Sequence, residues 1–438
     1  MPGLALHNFR GFQKTLIPFG QVNFFVGENS TGKTSVLSAL EILSTMDLFY
    51  RGELTSEYCD FSAYEDAATI SDSVDTFSLG YFRSAYSKVG LLDVIALHFK
   101  NDNGRTGLSE LVYVMNGFLV RARFKRDRAL ISINKAILGD GSPQAIIAEL
   151  MWGRFSRVKG ESVKNCTYLE KELKTPSLII SALNVITLEN IKGDSDAARS
   201  RFKINPAPFP SVHWGAPIRA KPERINSIST RQFTPEGAHI PSLIRQAYGS
   251  QRDNYLEERL DGYVKGFGSE SHLFNDLVVK EYGTGHASPY EIRIKFRDEE
   301  HKLSNVGYGV SQALPVLIDV AAAADEEGFV IQQPEVHLHP RAQAAFGEFF
   351  FDMALRRNHT FFIETHSDFL IDRFRLMLNK SRAKKKPVAV IYFFHKCQNG
   401  NNNIQKIDIS SNGAYASELP DEYKDFFFKE ELELLEIR

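Results

Sequence analysis

Cysteine is scarce in this chain of 438 residues: only Cys59, Cys166 and Cys397, far apart and never in a CxxC spacing. That excludes a disulfide framework and a zinc knuckle, and it fits a reducing compartment. An excess of one charge is also missing, since 52 basic residues face 54 acidic ones for a formal net charge of -2. Such a balance argues against a chain that coats nucleic acid over its whole surface, while permitting a local basic face. No apolar run approaches the ~20 residues that span a bilayer. The opening MPGLALHNFRGF lacks the basic-then-apolar pattern of a signal peptide. The expected location is cytoplasmic, with no membrane partner. Internal repeats, a GxSxG elbow and an H-E-x-x-H segment are absent too.

What is present is 43% apolar, 24% charged and 12% aromatic, the profile of a folded protein with a core that needs no metal or disulfide staple. The length allows up to ~3 units of ~150 residues. Residues 4–19 alternate as short strands around an Arg10-Gly11 turn. Gln21 to Val26 is an apolar run that stops at Gly27, and VLSALEILSTM then takes helical spacing. IALHF at 95–99, LVYVM at 111–115 and FLVRARF at 118–124 predict antiparallel strands, with turns at Asn101-Asp102-Asn103-Gly104 and Asn116-Gly117. An apolar run occupies 177–188, and the four prolines over 206–217 forbid continuous helix. The spacing predicts helix over much of 220–270. Strand–helix alternation returns with GFVIQQ at 328–333, HTFFIET at 359–365 and AVIYFF at 389–394. The expected fold is α/β: a P-loop NTPase of ABC-ATPase head type, with a mixed sheet core, a β-rich lobe and a mostly helical middle insertion. Residues 1–135 would form the N-terminal half of the core with the β-rich lobe, 136–270 the insertion, and 271–438 the C-terminal half.

Gly27-Glu28-Asn29-Ser30-Thr31-Gly32-Lys33-Thr34, followed by Ser35, matches GxxxxGK[ST] completely, between a buried strand and a helix. Glycines let successive N–H groups curl around a β-phosphate, and the helix N-terminus adds positive partial charge. Lys33 reaches the β- and γ-phosphates, and the Thr34 hydroxyl can ligate magnesium. ATP and Mg2+ are the expected ligands.

Three further segments point the same way. SNVGYGVSQ at 304–312 precedes an apolar helix and places Gly309, Ser311 and Gln312 at a helix start, a second anion-binding cap. FVIQQPE at 329–335 is an apolar strand ending in polar residues, where P-loop ATPases place a magnesium-holding acid. Gln332 stands in that place, Gln333 follows, and Glu335 is the only carboxylate within the motif. His337 and His339 form a single i, i+2 pair, too few ligands for a metal site. FFIETHSD at 361–368 ends another strand and offers His366 as a γ-phosphate contact.

Together these residues resemble the ABC-type ATPase heads shared by RecF, the SMC proteins and the overcoming-lysogenization-defect group. They are most similar to the compact bacterial branch that includes the Septu and PARIS antiphage ATPases. SNVGYGVSQ resembles the signature loop, IQQPEVHLHP a Walker B with its D-loop, and IETHSD the switch-histidine segment. Weaker echoes are FSAYED at 61–66 and GAPIRAKPER at 215–224. The resemblance implies an ATP-dependent dimer or higher multiple, each site pairing Lys33 and Thr34 of one subunit with Ser311 of the other. It also implies an antiviral switch that holds a separately encoded nuclease or toxin effector. The alternatives are a RecF-like clamp that binds DNA itself, and an interaction scaffold that binds ATP with little hydrolysis.

One departure bears on turnover. Members of this branch usually carry an acid where this chain has Gln332. A naturally slow ATPase, a reassignment of the role to Glu335, and an engineered Glu→Gln hydrolysis trap all remain open on the sequence. Residues after His366 carry no DxD pattern of a TOPRIM nuclease. The basic stretches RARFKRDR at 121–128 and SRAKKK at 381–386 read as a strand edge and a solvated loop, with phosphate contact as the competing reading. Arg219 and Arg224 suit either a nucleotide or dimer contact or a surface turn. The C-terminal LPDEYKDFFFKEELELLEI suits a closing helix or a docking surface.

Overall fold

Two kinds of strand pattern recur, half-buried alternation and continuous apolar runs, and they sort into two sheets of different character. The computed structural model describes residues 2–45, 48, 52–56, 58–69, 75–84, 92–115, 118–125, 128–138, 143–152, 158–162, 169–172, 212–226, 232–250, 252–285, 287–398 and 400–436. The apolar run at 177–188 and the Asn116-Gly117 turn lie outside them. The chain divides into two units, Met1–Phe19, Glu28–Ser211 and Phe394–Ile404 in the first, and Gly20–Gly27, Val212–Phe393 and Gln405–Arg438 in the second.

In the first unit, β1 (Pro2–Phe9) and β2 (Phe12–Pro18) form a hairpin around Arg10 and Gly11, whose φ angles are 42° and 86°. The helices α1 (Lys33–Ser44) and α2 (Tyr64–Ala67) follow. Then come β4 (Thr76–Ser84), β5 (Leu92–Asp102), β6 (Arg105–Met115), β7 (Phe118–Lys125) and β8 (Arg128–Leu138), α3 (Pro143–Met151), and β9 (Val158–Ser162) and β10 (Leu169–Glu172). The strands make one 9-stranded antiparallel sheet in the order β10-β8-β7-β6-β5-β4-β1-β2, with β9 on β8. Asn103 and Gly104 turn β5 into β6 with φ 53° and 85°, the primed hairpin geometry their residue types favour. Ile146, Ile147, Leu150 and Met151 of α3 close the apolar face over Ala5, Val94, Ala96 and Val112. Arg121 and Arg123 both reach Glu110 on the neighbouring strand, at 2.7 and 3.1 Å, so these two basic residues serve cross-strand pairing.

The second unit holds β3 (Val22–Gly27), β11 (Val212–Gly215), α4 (Ile240–Tyr248), α5 (Asn254–Ser271), β12 (Asp276–Glu281), β13 (Tyr290–Phe296), β14 (Glu299–Lys302) and α6 (Tyr308–Ala322). It continues with β15 (Gly328–Gln332), α7 (Pro340–Arg356), β16 (Thr360–Glu364), α8 (Asp368–Lys380), β17 (Ala389–Lys396), β18 (Asn402–Ile409) and α9 (Asp421–Glu436). Its main sheet runs β11-β15-β16-β3-β17-β18, beside a small β12-β13-β14 sheet. β11, β15, β16 and β3 are parallel neighbours. Strands covered by helices on both faces must be apolar throughout, and all of Val22–Gly27 and Gly328–Gln332 are buried. A helix crosses over from β15 to β16, as their parallel pairing requires, and another connects β16 to β17. They pack closely: a Cβ on Gly347 of α7 would meet the Phe374 nitrogen of α8 at 2.9 Å. Tyr423 of α9 is 1% exposed, and Phe426, Phe427 and Phe428 pack on the same core, so the C-terminal segment closes the core. The division falls elsewhere than at residues 135 and 270: segment 212–271 packs with the C-terminal half, through β11 on β15 and α5 on α6 and α7. The result is a P-loop ATPase fold of ABC type. Among the described residues, no helix is long and apolar enough to cross a membrane.

Candidate nucleotide site

The phosphate loop begins where β3 stops. Gly27 has φ 136° and Gly32 φ 96°, conformations that a side chain would strain. A Cβ on Gly32 would also strike the Phe12 ring at 2.5 Å. α1 starts at Lys33 with Gly32 as its cap, so the positive end of the helix faces the loop. Thr31 Oγ1 and Lys33 Nζ each donate to the Glu28 carbonyl at 2.7 Å. Lys33 is 4% exposed. The ammonium therefore rests on its own loop, on an acceptor that a phosphate oxygen can replace. Glu28, Asn29, Ser30 and Thr34 are exposed, with Ser35 half-buried beside them.

In the second unit, three neighbouring parallel strands finish at one edge, the place where ligands bind in open α/β sheets. In the β15, β16 and β3 register, Gln332 pairs with Glu364 and Glu364 with Phe25, two residues before Gly27. The order also puts β16 between the strand feeding the phosphate loop and the strand bearing Gln332. Gln332 Nε2 donates to Glu364 Oε2 at 3.1 Å, and both residues are buried. Gln333, at φ 43°, donates its N–H to the Glu364 carbonyl at 2.8 Å and prolongs the ladder.

Glu335 is the nearest acid along the chain to these glutamines, and its surroundings are distinctive. It is 8% exposed; Oε1 accepts from the His366 N–H at 2.7 Å, while Oε2 is buried with no hydrogen-bond partner. Burial pushes its carboxyl above the usual range, against the opposing pull of that N–H, of its own N–H, of the Thr365 hydroxyl and of Arg219. Arg219 is itself buried. One terminal nitrogen donates to the Gln332 carbonyl at 3.2 Å and the other, Nη1, has no partner. Burial pulls its guanidinium down to about 10, opposed by the fields of Glu335 and Asp319, and it stays cationic at neutral pH. Asp319 of α6 faces His239 at 2.6 Å. The Thr234 N–H donates to His239 Nδ1, which leaves Nε2 to carry the proton toward Asp319. The ring of His366 lies over Phe426, 6.1 Å between centroids.

The signature segment departs from the expected helix start. α6 begins at Tyr308, capped by Gly307, so Ser311 is the fourth helical residue and no cap. Its hydroxyl donates to the Tyr308 carbonyl at 2.8 Å, and Ser311 and Gln312 are each 6% exposed. Valine and glycine at 306–309 were compatible with a later start, but the 3₁₀ turn Leu303–Asn305 hands over to the helix directly at Gly307. The groups presented at the free N–H end are Ser304, Asn305, Gly307 and Tyr308, the last 61% exposed. Gly309 instead meets the D-loop: a Cβ there would lie 3.2 Å from the His337 carbonyl and the Leu338 side chain. His337 packs on the Tyr308 ring and His339 accepts from Ala342 N as the cap of α7, so both histidines have structural work.

Sequence reasoning missed Glu364, because a lone acid between Ile363 and Thr365 carries no pattern of its own. It also left Arg219 undecided between the site and a surface turn. Strand register sets Glu364 beside Gln332, and burial with a bond to the Gln332 carbonyl takes Arg219 out of the surface-turn reading. Within the second unit, Gln332 and Glu364 carry hard oxygen donors, the kind magnesium takes. Among the described residues no group of three or more His, Cys, Asp or Glu could cage a metal.

Two family models match the chain: an AAA ATPase domain over residues 3–103, and an AAA domain described as putative AbiEii toxin, Type IV TA system, over residues 215–372. The chain carries P-loop ATPase domains. Among solved structures, an SMC head domain from Thermotoga maritima is 12% identical with a TM-score of 0.40, covering 93% of this chain and 98% of that one. An Smc head with an extended coiled coil, bound to the C-terminal domain of ScpA and derived from Pyrococcus furiosus, is 10% identical with a TM-score of 0.42, covering 100% and 99%. No curated protein matches the chain.

Proposed function

We propose that this chain is an ATP-binding, ATP-hydrolysing dimeric switch of a bacterial antiphage system, controlling a separately encoded nuclease or toxin. The observation that carries the enzymatic part is Glu335. It is a buried carboxylate with one oxygen fixed by the His366 N–H and the other unpartnered, just beyond the end of β15. In this reading the loop N–H groups and Lys33 hold the β- and γ-phosphates, Lys33 exchanging the Glu28 carbonyl for a phosphate oxygen. Glu335 Oε2 takes a proton as a water oxygen bonds to the γ-phosphorus and the bond to the ADP oxygen breaks. In this reading His366 senses the γ-phosphate. Magnesium bound with the triphosphate would offset its charge, with Thr34, Gln332 and Glu364 supplying oxygen donors. A second subunit would bring the start of its own α6, residues 304–308 and the Ser311 turn, to that triphosphate, so that nucleotide state and assembly are coupled.

Support for the defence role is the description of the model matching 215–372, together with the resemblance of the motifs to antiphage ATPases. A second reading, binding with little turnover, is favoured by the amide of Gln332 where an acid is expected. Calorimetry and phosphate release on the full chain test the first reading. ATP should bind to the wild type, weaken at least ~100-fold in Lys33→Ala, and raise the molar mass from monomer to dimer. Glu335→Gln should keep binding and dimerisation and lose phosphate release. Absence of ATP binding to the wild type would end this account, and binding without release would select the scaffold reading. Survival of a bacterial host under phage challenge, with and without the flanking genes, tests the defence role. Salt-sensitive duplex binding by the chain alone would favour a DNA clamp instead.

A further inference from the structure

Glu335 is held at both ends by one circuit of hydrogen bonds. Its Oε1 accepts from the His366 N–H at 2.7 Å, and its main-chain carbonyl accepts from the Leu338 N–H at 3.0 Å. The two donors lie on different segments, one in the turn 335–339 after β15, the other just beyond the end of β16. Gln343, in the first turn of α7, joins those segments. Its Nε2 donates to the Leu338 carbonyl at 2.8 Å, and its Oε1 accepts from the Ser367 hydroxyl at 2.7 Å. Ser367 follows His366 directly, so the circuit closes on Glu335.

Chemistry forces the role of each group. A carbonyl oxygen only accepts, so the amide nitrogen of Gln343 faces Leu338 and its oxygen faces Ser367. The Ser367 hydroxyl has one proton, which goes to Gln343, while its lone pair caps α8 by accepting from the Leu370 N–H at 3.1 Å. The Ser367 N–H in turn donates to Thr365 Oγ1 at 3.0 Å. Glu335, Leu338, Thr365 and Ser367 are all buried, and Gln343 is half-buried. Buried groups cannot turn to water when a partner is removed, so breaking one bond leaves its other half unpaired. A carboxylate at 343 could not donate to Leu338, and an apolar side chain could serve neither neighbour.

From this circuit we propose that Gln343 is a positioning residue for Glu335. Its amide ties the 365–367 segment to the turn 335–339 and so keeps the His366 N–H on the carboxylate. Gln343 acts through Leu338, Ser367 and His366. The consequence for turnover rests on the reading of Glu335 as the general base, whose second oxygen is aimed only while the first is held still.

Two measurements on the full chain test this. The first needs no turnover: in protein made with isotope-labelled histidine, the His366 amide signal, assigned by its loss in His366→Asn, reports the bond to Glu335. Glu335→Gln should shift that signal, and Gln343→Met, which is nearly isosteric, should shift it in the same direction, as should Ser367→Ala. The second measurement is phosphate release. Gln343→Met should lower kcat ~10–100-fold, the scale of two broken hydrogen bonds with buried partners left unpaired, while ATP affinity stays within ~2-fold. In a Glu335→Gln background the same substitution should cost nothing further, because no carboxylate is left to aim. An unmoved His366 signal in Gln343→Met and Ser367→Ala would overturn the proposal. So would a full loss added on top of Glu335→Gln, or ATP affinity falling in step with kcat, which marks a merely structural part. If the wild type binds ATP without releasing phosphate, the hydrolytic reading falls, and the His366 signal alone decides whether Gln343 positions Glu335.

Discussion

Gln332→Glu converts the amide at the end of β15 into a carboxylate, and the structure fixes what that change must meet. The Gln332 amide nitrogen lies 3.1 Å from Glu364 Oε2, and both side chains are more than nine-tenths buried. Two ionised carboxylates at that separation repel by ~5 kcal/mol at an effective dielectric constant of ~20. That repulsion is relieved when the pair keeps one proton between them. One carboxyl of the variant therefore keeps a proton in the folded state at pH values where both would ionise in the unfolded chain. The folded state then binds more protons than the unfolded one above pH ~4.3, so stability falls as pH rises. Melting temperature measured in EDTA should match the wild type near pH 5 and drop below it progressively toward pH 8. Magnesium with ATP should remove the deficit, since a divalent ion offsets the repulsion, and phosphate release should rise if the amide is what slows turnover. A melting temperature parallel to the wild type from pH 5 to pH 8 would show that the two side chains do not share a low-dielectric edge. The reasoning would then fail.

Arg219→Met removes the donor to the Gln332 carbonyl and the cation opposing the raised carboxyl of Glu335. A general base works ionised, so activity climbs with pH through its raised value. The pH–rate profile of Arg219→Met should shift further alkaline, with Arg219→Lys in between. Glu335→Gln needs no ionisation, and its residual rate should lose that acid limb altogether. Gly347→Ala should destabilise the fold by about 1–3 kcal/mol in urea titration, because the new methyl enters the α7–α8 contact. Gly32→Ala, by contrast, should impair ATP binding as well as stability, since φ at 96° and the Phe12 ring both oppose a Cβ in the loop itself.

Much of the framework was legible in the chain because it rests on local rules. Asn103-Gly104 demanded a primed turn, the apolar runs at 328–332 and 360–363 demanded strands buried on both faces, and the phosphate loop announced itself between a strand and a helix. The start of α6 was not legible. Gly307, Gly309 and Ser311 are all acceptable near a helix N-terminus, and packing of Gly309 against the D-loop fixes the register. Arg219 and Glu364 were equally opaque, for their neighbours in sequence say nothing of a carbonyl more than a hundred residues away or of an amide on the adjacent strand. The two outcomes for the C-terminal segment also parted only when Tyr423 was found inside the core.

Residue order alone gave the chain a phosphate-loop motif, where that motif sits, and an amide where an acid is expected. Those features depend on dihedral preference and hydrogen-bonding capacity within a few neighbouring residues. Which carboxylate lies beside that amide, which arginine holds its carbonyl, and which acid keeps an unpartnered oxygen were decided by parallel strand register and burial. Such properties belong to segments far apart in sequence, and they exist only once the sheet has brought the segments side by side.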